Sequence, residues 1–176
     1  MTTINIVGAG AYGTALAVAA QEKSKDVTVW SYDISADFTI VDHRYHSRRL
    51  KSTILPKGIC VTDQLSEVAD ADIILLAPPA QKMRSVLENL KPYLSQNTYM
   101  VACSKGIENE TCQFMTEVIK DVLPSQPAAV LSGPSFATEL VHRKPTAVTV
   151  AAQDLTTAQW LCQSLGSSFF RTYASV

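Results

Sequence analysis

The residues best placed to do chemistry begin with three glycines. Gly8, Gly10 and Gly13 are spaced as G-x-G-x-x-G within IVGAGAYGTALA (6–17), directly after a short apolar run. At a strand-to-helix turn this spacing has a physical use. Gly8 can take the tight turn, Gly10 leaves the backbone open to a pyrophosphate, and Gly13 lets the helix lie close on the strand. The helix start, at Ala11, Tyr12 and Gly13, then offers free N–H groups and a partial positive charge to phosphates. Asp33 stands 20 positions past Gly13, after a second apolar run ending at Trp30. Its carboxylate would accept hydrogen bonds from an adenosine ribose and repel a 2′-phosphate, which favours NAD. The basic run HRYHSRRLK (43–51), with Arg44, Arg48, Arg49 and Lys51, pulls toward NADP. The preference between NAD and NADP stays open, with NAD slightly favoured.

Two later stretches also follow strand-like runs, at the carboxyl end where doubly wound sheets place ligands. The first is Ser104-Lys105-Gly106-Ile107-Glu108. A cationic Lys105 there could stabilise a developing alkoxide; on spacing alone it is equally a solvated turn lysine. The second is Ser132-Gly133-Pro134-Ser135-Phe136-Ala137-Thr138-Glu139. Backbone N–H groups of a helix starting near Ser135 could face a substrate, although strand, turn and helix cap alone would also produce this pattern. Pro78 follows the most apolar run and is either a turn proline or a residue packed beside a cofactor.

Other chemistries have less to stand on. SGPSFA is not a G-x-S-x-G nucleophile elbow, because residue 137 is alanine. His43 and His46 share one face of a helix but lack a third ligand, so no metal site is expected. His142 beside Arg143 and Lys144 reads as a solvated helix end. Cys60, Cys103, Cys112 and Cys162 form no CxxC pair, which suits reduced thiols in the cytoplasm. Cys103 and Cys112 read as buried, inert thiols.

The elements that must position these residues alternate. Strands are expected at 2–7, 27–30, 72–77, 98–104, 128–133, 146–152 and 167–173. Helices are expected at 11–23, 79–94, 110–123, 135–143 and 154–165. DIILLA (72–77) is apolar on both faces, as when helices cover both sides of a parallel sheet. This alternation implies an α/β fold: a doubly wound, mostly parallel Rossmann-type sheet with flanking helices. Residues 43–51 read as a solvated helix leading to a loop around Leu55-Pro56. At 47% hydrophobic residues the 176-residue chain can bury a sizeable core, and a net charge of −1 gives no global field for nucleic acid or a membrane surface. The apolar windows are too short to span a bilayer, and MTTINIVGAG has no signal-peptide pattern.

In its motifs the chain resembles the N-terminal domain of NAD(P)-dependent glycerol-3-phosphate dehydrogenases. The resemblance rests on GAGAYGTALA, VTVW, ILLAPPAQKMR, SKGIE, SGPSFATE, Pro145-Thr146-Ala147 and Phe170-Arg171-Thr172-Tyr173, in this order. It implies reversible hydride transfer between NAD(P)H and dihydroxyacetone phosphate, giving sn-glycerol 3-phosphate for phospholipid synthesis. It implies that Gly8, Gly10, Ala11, Tyr12, Gly13, Trp30, Asp33, Pro78, Ala137 and Glu139 lie at the cofactor. Lys105, Ser132, Gly133, Pro134 and Ser135 would lie at the substrate, with Lys105 assisting catalysis. The family's C-terminal helical domain, with the main catalytic lysine and much of a homodimer contact, is expected to be missing from residues 1–176, so the fragment alone would be inactive. Two departures stand out. Lys51 and Ile54 replace the asparagine and tyrosine of the family's NxxYLP loop, of which Leu55 and Pro56 remain. Tyr32 replaces a basic residue after the strand-two tryptophan. Competing readings are a non-catalytic NAD(H)-binding module and the cofactor domain of a hydroxy-acid or sugar-nucleotide dehydrogenase.

Overall fold

Alternation along the strands decides which side of the sheet each helix covers. The computed structural model describes residues 2–51, 53–95 and 97–176. Strands β1 (Ile4–Val7), β2 (Val27–Trp30), β5 (Ile59–Thr62), β6 (Ile73–Leu76), β7 (Tyr99–Ala102), β8 (Ala128–Ser132), β9 (Thr146–Ala152) and β10 (Phe170–Ser175) form one sheet. Its order is β10-β9-β8-β7-β6-β1-β2-β5, and every pairing is parallel except β8–β9. In the central pair, Ile4 lies opposite Ile73 and Ile6 opposite Leu75. These side chains join one core with helices α1 (Ala11–Ala20), α6 (Ala137–Val141) and α7 (Leu155–Leu165). Val7, Ile74 and Leu76 point the other way, into a second core with α3 (Ser66–Ala69), α4 (Met83–Leu90) and α5 (Met115–Val122). The result is helix on sheet on helix, as the doubly wound expectation requires.

The helices show why they dock. In α4, Met83, Val86, Leu87 and Leu90 are buried, and in α5, Met115, Val118, Ile119 and Val122 are; both sets repeat at i, i+3, i+4, i+7. Helix α1 is buried along residues 13–20 and carries small residues there, so it lies deep against β1 and β2. Asp154 caps α7 by accepting from the Thr157 amide at 2.8 Å.

The structure corrects several boundaries. Residues 43–51 are not a solvated helix. They contain the return strand of an antiparallel hairpin, β3 (Phe38–Val41) and β4 (Arg44–Ser47), preceded by the short α2 (Ile34–Asp37). The turn residues Asp42 and His43 have φ of 48° and 58°, the sign needed by a two-residue hairpin turn whose twist matches its strands. The signal was the β-branched FTIV run before Asp-His, outweighed by the density of charge after it. Strand β5 and helix α3 are additional elements, each only four residues long. The helix expected from 110 begins at Met115, because Cys112 holds φ 57° and Glu117 accepts the Phe114 amide at 2.7 Å just before α5. Pro79 precedes a 3-10 turn (Ala80–Lys82) instead of opening an α-helix. Cys112 is exposed, not buried, as is Cys60; Cys103 is buried. Ser52, in the expected loop leading to Leu55-Pro56, lies outside the described residues.

Candidate functional site

The glycine turn shows a division of labour that follows from space alone. Gly8 has φ 107°, and a Cβ there would lie 2.7 Å from the Ala77 carbonyl carbon. A Cβ on Gly13 would fall 1.8 Å from the Gly8 oxygen, so α1 and β1 approach more closely than any side chain permits. A Cβ on Gly10 would meet nothing within 4 Å. Gly10 is the N-cap of α1 and has no side-chain cap, and no acidic residue sits in the first turn. The helix start therefore presents unpaired N–H groups to the space that Gly10 leaves open.

That space is a cavity of about 1140 Å³. It lies at the carboxyl ends of β1, β2, β6 and β7, around the point where the strand order reverses. The loops above it are pinned by extensions of the strand ladders. The Gly8 amide donates to Trp30 O at 3.0 Å, Ala77 to Val7 O at 2.8 Å, and Cys103 to Leu76 O at 2.8 Å. At one end Trp30 forms part of the wall, its indole Nε1 donating to Asp63 O at 3.0 Å. At the other end Lys105 Nζ donates to Gly133 O at 3.1 Å, joining the SKGIE and SGPS loops. Tyr12 Oη and Ser135 Oγ are 2.9 Å apart and link the glycine turn to the same loop. Burial pushes the Tyr12 phenol upward, with the Ser135 hydrogen bond opposing it, so the hydroxyl is neutral. Burial raises the Cys103 thiol strongly, which leaves this wall residue protonated and unreactive.

The Lys105 loop has a stiff support. Arg84 on α4 donates to both Glu108 oxygens, at 3.0 and 2.9 Å, and to Asp121 of α5 at 2.6 Å. Glu108 is buried, and Arg84, followed by the Thr111 hydroxyl, holds its carboxyl below the usual carboxylate range. This clamp ties the loop carrying Lys105 to two helices. A second cavity of about 490 Å³ opens beside it, walled by Lys105, Ile107, Phe114 and Ser132.

Most of the residues singled out in the sequence converge here. Gly8, Gly10, Ala11, Tyr12, Trp30, Pro78, Lys105, Ser135 and Ala137 wall the large cavity. Ser132 walls the second cavity, while Gly133 holds the Lys105 ammonium. Gly13 lies beneath the turn, and Pro134 and Glu139 wall neither cavity. Asp33 does not line the large cavity. Its carboxylate accepts from Ser35 Oγ at 2.6 Å and the Ala36 amide at 3.0 Å, capping α2, and these bonds lower its pKa. Sequence reasoning offered Arg49 only as one of the 43–51 basic residues that pull toward NADP and did not place Tyr32 or Asp37 at the wall, where the structure brings all three. Their signal was hidden in the hairpin, since only its fold-back carries Arg49 toward β2. Among the described residues, no group of three or more His, Cys, Asp or Glu is arranged to hold a metal ion.

Comparison with known proteins decides the family. Residues 3–158 match the model of the NAD-dependent glycerol-3-phosphate dehydrogenase N-terminus. The chain belongs to that family. Glycerol-3-phosphate dehydrogenase [NAD(P)+] of Rhodopseudomonas palustris (strain HaA2) is 44% identical over 98% of this chain and 52% of its own length. The Bradyrhizobium sp. (strain ORS 278) relative of the same name is 46% identical over 98% of this chain and 53% of its own length. The crystal structure of glycerol-3-phosphate dehydrogenase from Coxiella burnetii superposes with a TM-score of 0.85 at 29% identity, covering 99% of this chain and 54% of that one. The chain thus spans about half the length of the glycerol-3-phosphate dehydrogenases it matches. Of the family's NxxYLP loop, Leu55 is buried and its carbonyl accepts from Arg44 Nη2 at 2.6 Å, so the loop is fastened to β4 despite Lys51 and Ile54. No helix among the described residues is long and apolar enough to cross a membrane.

Proposed function

We propose that this chain is the dinucleotide-binding part of a glycerol-3-phosphate dehydrogenase that interconverts dihydroxyacetone phosphate and sn-glycerol 3-phosphate with NAD(P)H. The carrying observation is the open direction above Gly10, at an uncapped helix start, in a cleft that runs from Trp30 to Lys105. The dinucleotide supplies the hydride when bound. The start of α1 binds the pyrophosphate, Trp30 borders the adenosine end, and Pro78 and Ala137 border the nicotinamide.

Lys105 faces the substrate. Its ammonium, held by the Gly133 carbonyl, stabilises negative charge on the substrate oxygen, and the Arg84–Glu108 clamp keeps that ammonium in place. Ser132, Gly133, Pro134 and Ser135 shape the substrate end, with Glu139 behind them on α6. The main acid–base group is contributed by a second, helical domain. Exposed Ile107, Phe114 and Phe136 near Lys105 support a surface that such a domain covers. The four unpaired thiols support a cytoplasmic setting, and the whole enzyme acts as a homodimer.

The test is substrate-dependent NAD(P)H oxidation by the full-length gene product. Dihydroxyacetone phosphate should drive oxidation, and Lys105→Ala should lower kcat more than it alters cofactor affinity. Turnover with 2-keto acids or sugar nucleotides but not with dihydroxyacetone phosphate would overturn the proposal.

A further inference from the structure

The first turn of α1 reaches the loop before α6 through one hydrogen bond, between Tyr12 Oη and Ser135 Oγ. The two helices are already fastened elsewhere. Arg143, just past α6, pairs with Glu22, just past α1, at 2.8 Å, and the buried Leu140 of α6 belongs to the same core as α1. The Tyr12 ring packs against that core as well. What the phenolic hydroxyl adds lies at the cleft, where Tyr12 and Ser135 are both wall residues.

The protons of this contact have one arrangement. Gly133 O is a carbonyl oxygen and only accepts. Lys105 Nζ donates to it at 3.1 Å and Ser135 Oγ at 3.4 Å. A serine hydroxyl has a single proton, so with that proton on Gly133 its oxygen accepts from Tyr12. Burial keeps the phenol neutral, which leaves it a proton to give. The chain of donors runs from Tyr12 to Ser135 to Gly133, and Lys105 ends on the same carbonyl. Ser135 Oγ then keeps one free lone pair and no free proton. Toward the cleft it accepts a hydrogen bond but cannot donate one.

We propose that Tyr12 is a positioning residue for the substrate: its hydroxyl holds Ser135 as an acceptor that takes a hydroxyl group of the substrate and has no proton for a carbonyl or phosphate oxygen. The inference rests on the function proposed above and adds which substrate group this loop reads. Of the two ends of dihydroxyacetone phosphate, the free hydroxymethyl end carries the donor that Ser135 can accept. Lys105, on the same Gly133 carbonyl, is the cation left for the carbonyl oxygen. A hydroxyl from the glycine turn thereby sets the substrate's orientation, with the hydroxymethyl group on Ser135 and the carbonyl oxygen on Lys105.

The experiment is steady-state reduction of dihydroxyacetone phosphate by the full-length gene product, with Tyr12→Phe, Ser135→Ala and the double variant, beside a fluorescence titration of each with NADH. Tyr12→Phe should raise KM about fivefold, the worth of one neutral hydrogen bond, and should weaken NADH less than that. Ser135→Ala should raise KM about tenfold. The double variant should match Ser135→Ala alone, because Tyr12 acts through Ser135. Ser135→Thr keeps the hydroxyl and should restore KM to near the parent value. Acetol phosphate, which has a methyl group in place of the hydroxymethyl, should bind the parent at least about tenfold more weakly than dihydroxyacetone phosphate. Its inhibition constant should not move in Tyr12→Phe. Effects on KM that multiply in the double variant, NADH weakened as much as KM is raised, or acetol phosphate weakened alongside the substrate would overturn this inference alone. No NADH or NADPH oxidation with dihydroxyacetone phosphate by the parent would overturn the proposed function and this inference with it.

Discussion

Gly10 and Gly13 lie in one motif, yet the structure assigns them opposite consequences for the same substitution. In Gly13→Ala the new Cβ would sit 1.8 Å from the Gly8 oxygen, 3.0 Å from its carbonyl carbon and 3.3 Å from Ala77 Cβ. Two of these three atoms are backbone, so relief requires α1 to move off β1. Overpacking a filled core costs about 1–3 kcal/mol, and a backbone collision places this site at or above the top of that range. Alanine returns about 1 kcal/mol of helix propensity. The net loss is about 2 kcal/mol, a fall in Tm of about 4–8 °C for a chain of this size. Gly10→Ala meets nothing within 4 Å, and Gly10 has φ −61°, which alanine adopts freely. Its Tm should stay within about 2 °C of the parent. Its Cβ instead enters the space where the pyrophosphate approaches, so NADH and NADPH affinity should fall at least about tenfold. Thermal unfolding without ligand, paired with fluorescence titration, separates the two outcomes. Unchanged Tm in Gly13→Ala would refute the close approach of helix and strand. Undiminished binding in Gly10→Ala would refute the pyrophosphate's placement.

Other consequences follow from single contacts. Glu108 has a folded-state pKa held below its unfolded value of about 4.3 by Arg84, so its stabilising contribution is fully present above that value and is lost as pH falls through the folded one. Thermal unfolding across this acidic range should show a steeper loss for the parent than for Glu108→Gln; equal slopes would refute the role of the clamp. Leu75→Ala, at the fully buried centre of β6, should cost about 3 kcal/mol in a denaturant titration, and a cost under about 1 kcal/mol would contradict the core described. His43→Gly releases a left-handed residue in the hairpin turn and should raise Tm by about 1–2 °C, whereas a clear fall would argue against the turn.

Much of the fold was legible because its signals were long or doubly determined. DIILLA announced a strand covered on both faces, and the helix-like runs 79–94 and 110–123, the latter stopped by Pro124, announced the helices that hold α4 and α5. The hairpin was missed because HRYHSRRLK carries enough charge to suggest a solvated helix, while its partner strand leaves Ile40 and Val41 exposed and so lacks a core-facing alternation. At the site, glycine spacing located the turn, since sterics alone dictate it. The position of Asp33 in sequence could not reveal that one of its carboxylate oxygens caps its own helix. Nor could spacing show Arg49 reaching the wall, because that depends on a fold-back of strands rather than on a local motif.

The one antiparallel joint of the eight-stranded sheet, β8 with β9, gives that sheet two unlike rims. Up to β8 the chain delivers strand ends to the cleft, and α1 begins there with its amides uncovered. Beyond the joint the direction inverts, so β9 delivers the start of α7 to the opposite rim. There Asp154 already occupies the amides, with its second oxygen accepting from Thr157 Oγ1 at 2.7 Å. An anion arriving from solution therefore meets one receptive long-helix start and one that is self-satisfied. The reversal of a single strand sorts the two rims into a docking side and an inert side, and so gives a nearly neutral protein a direction from which a charged ligand enters.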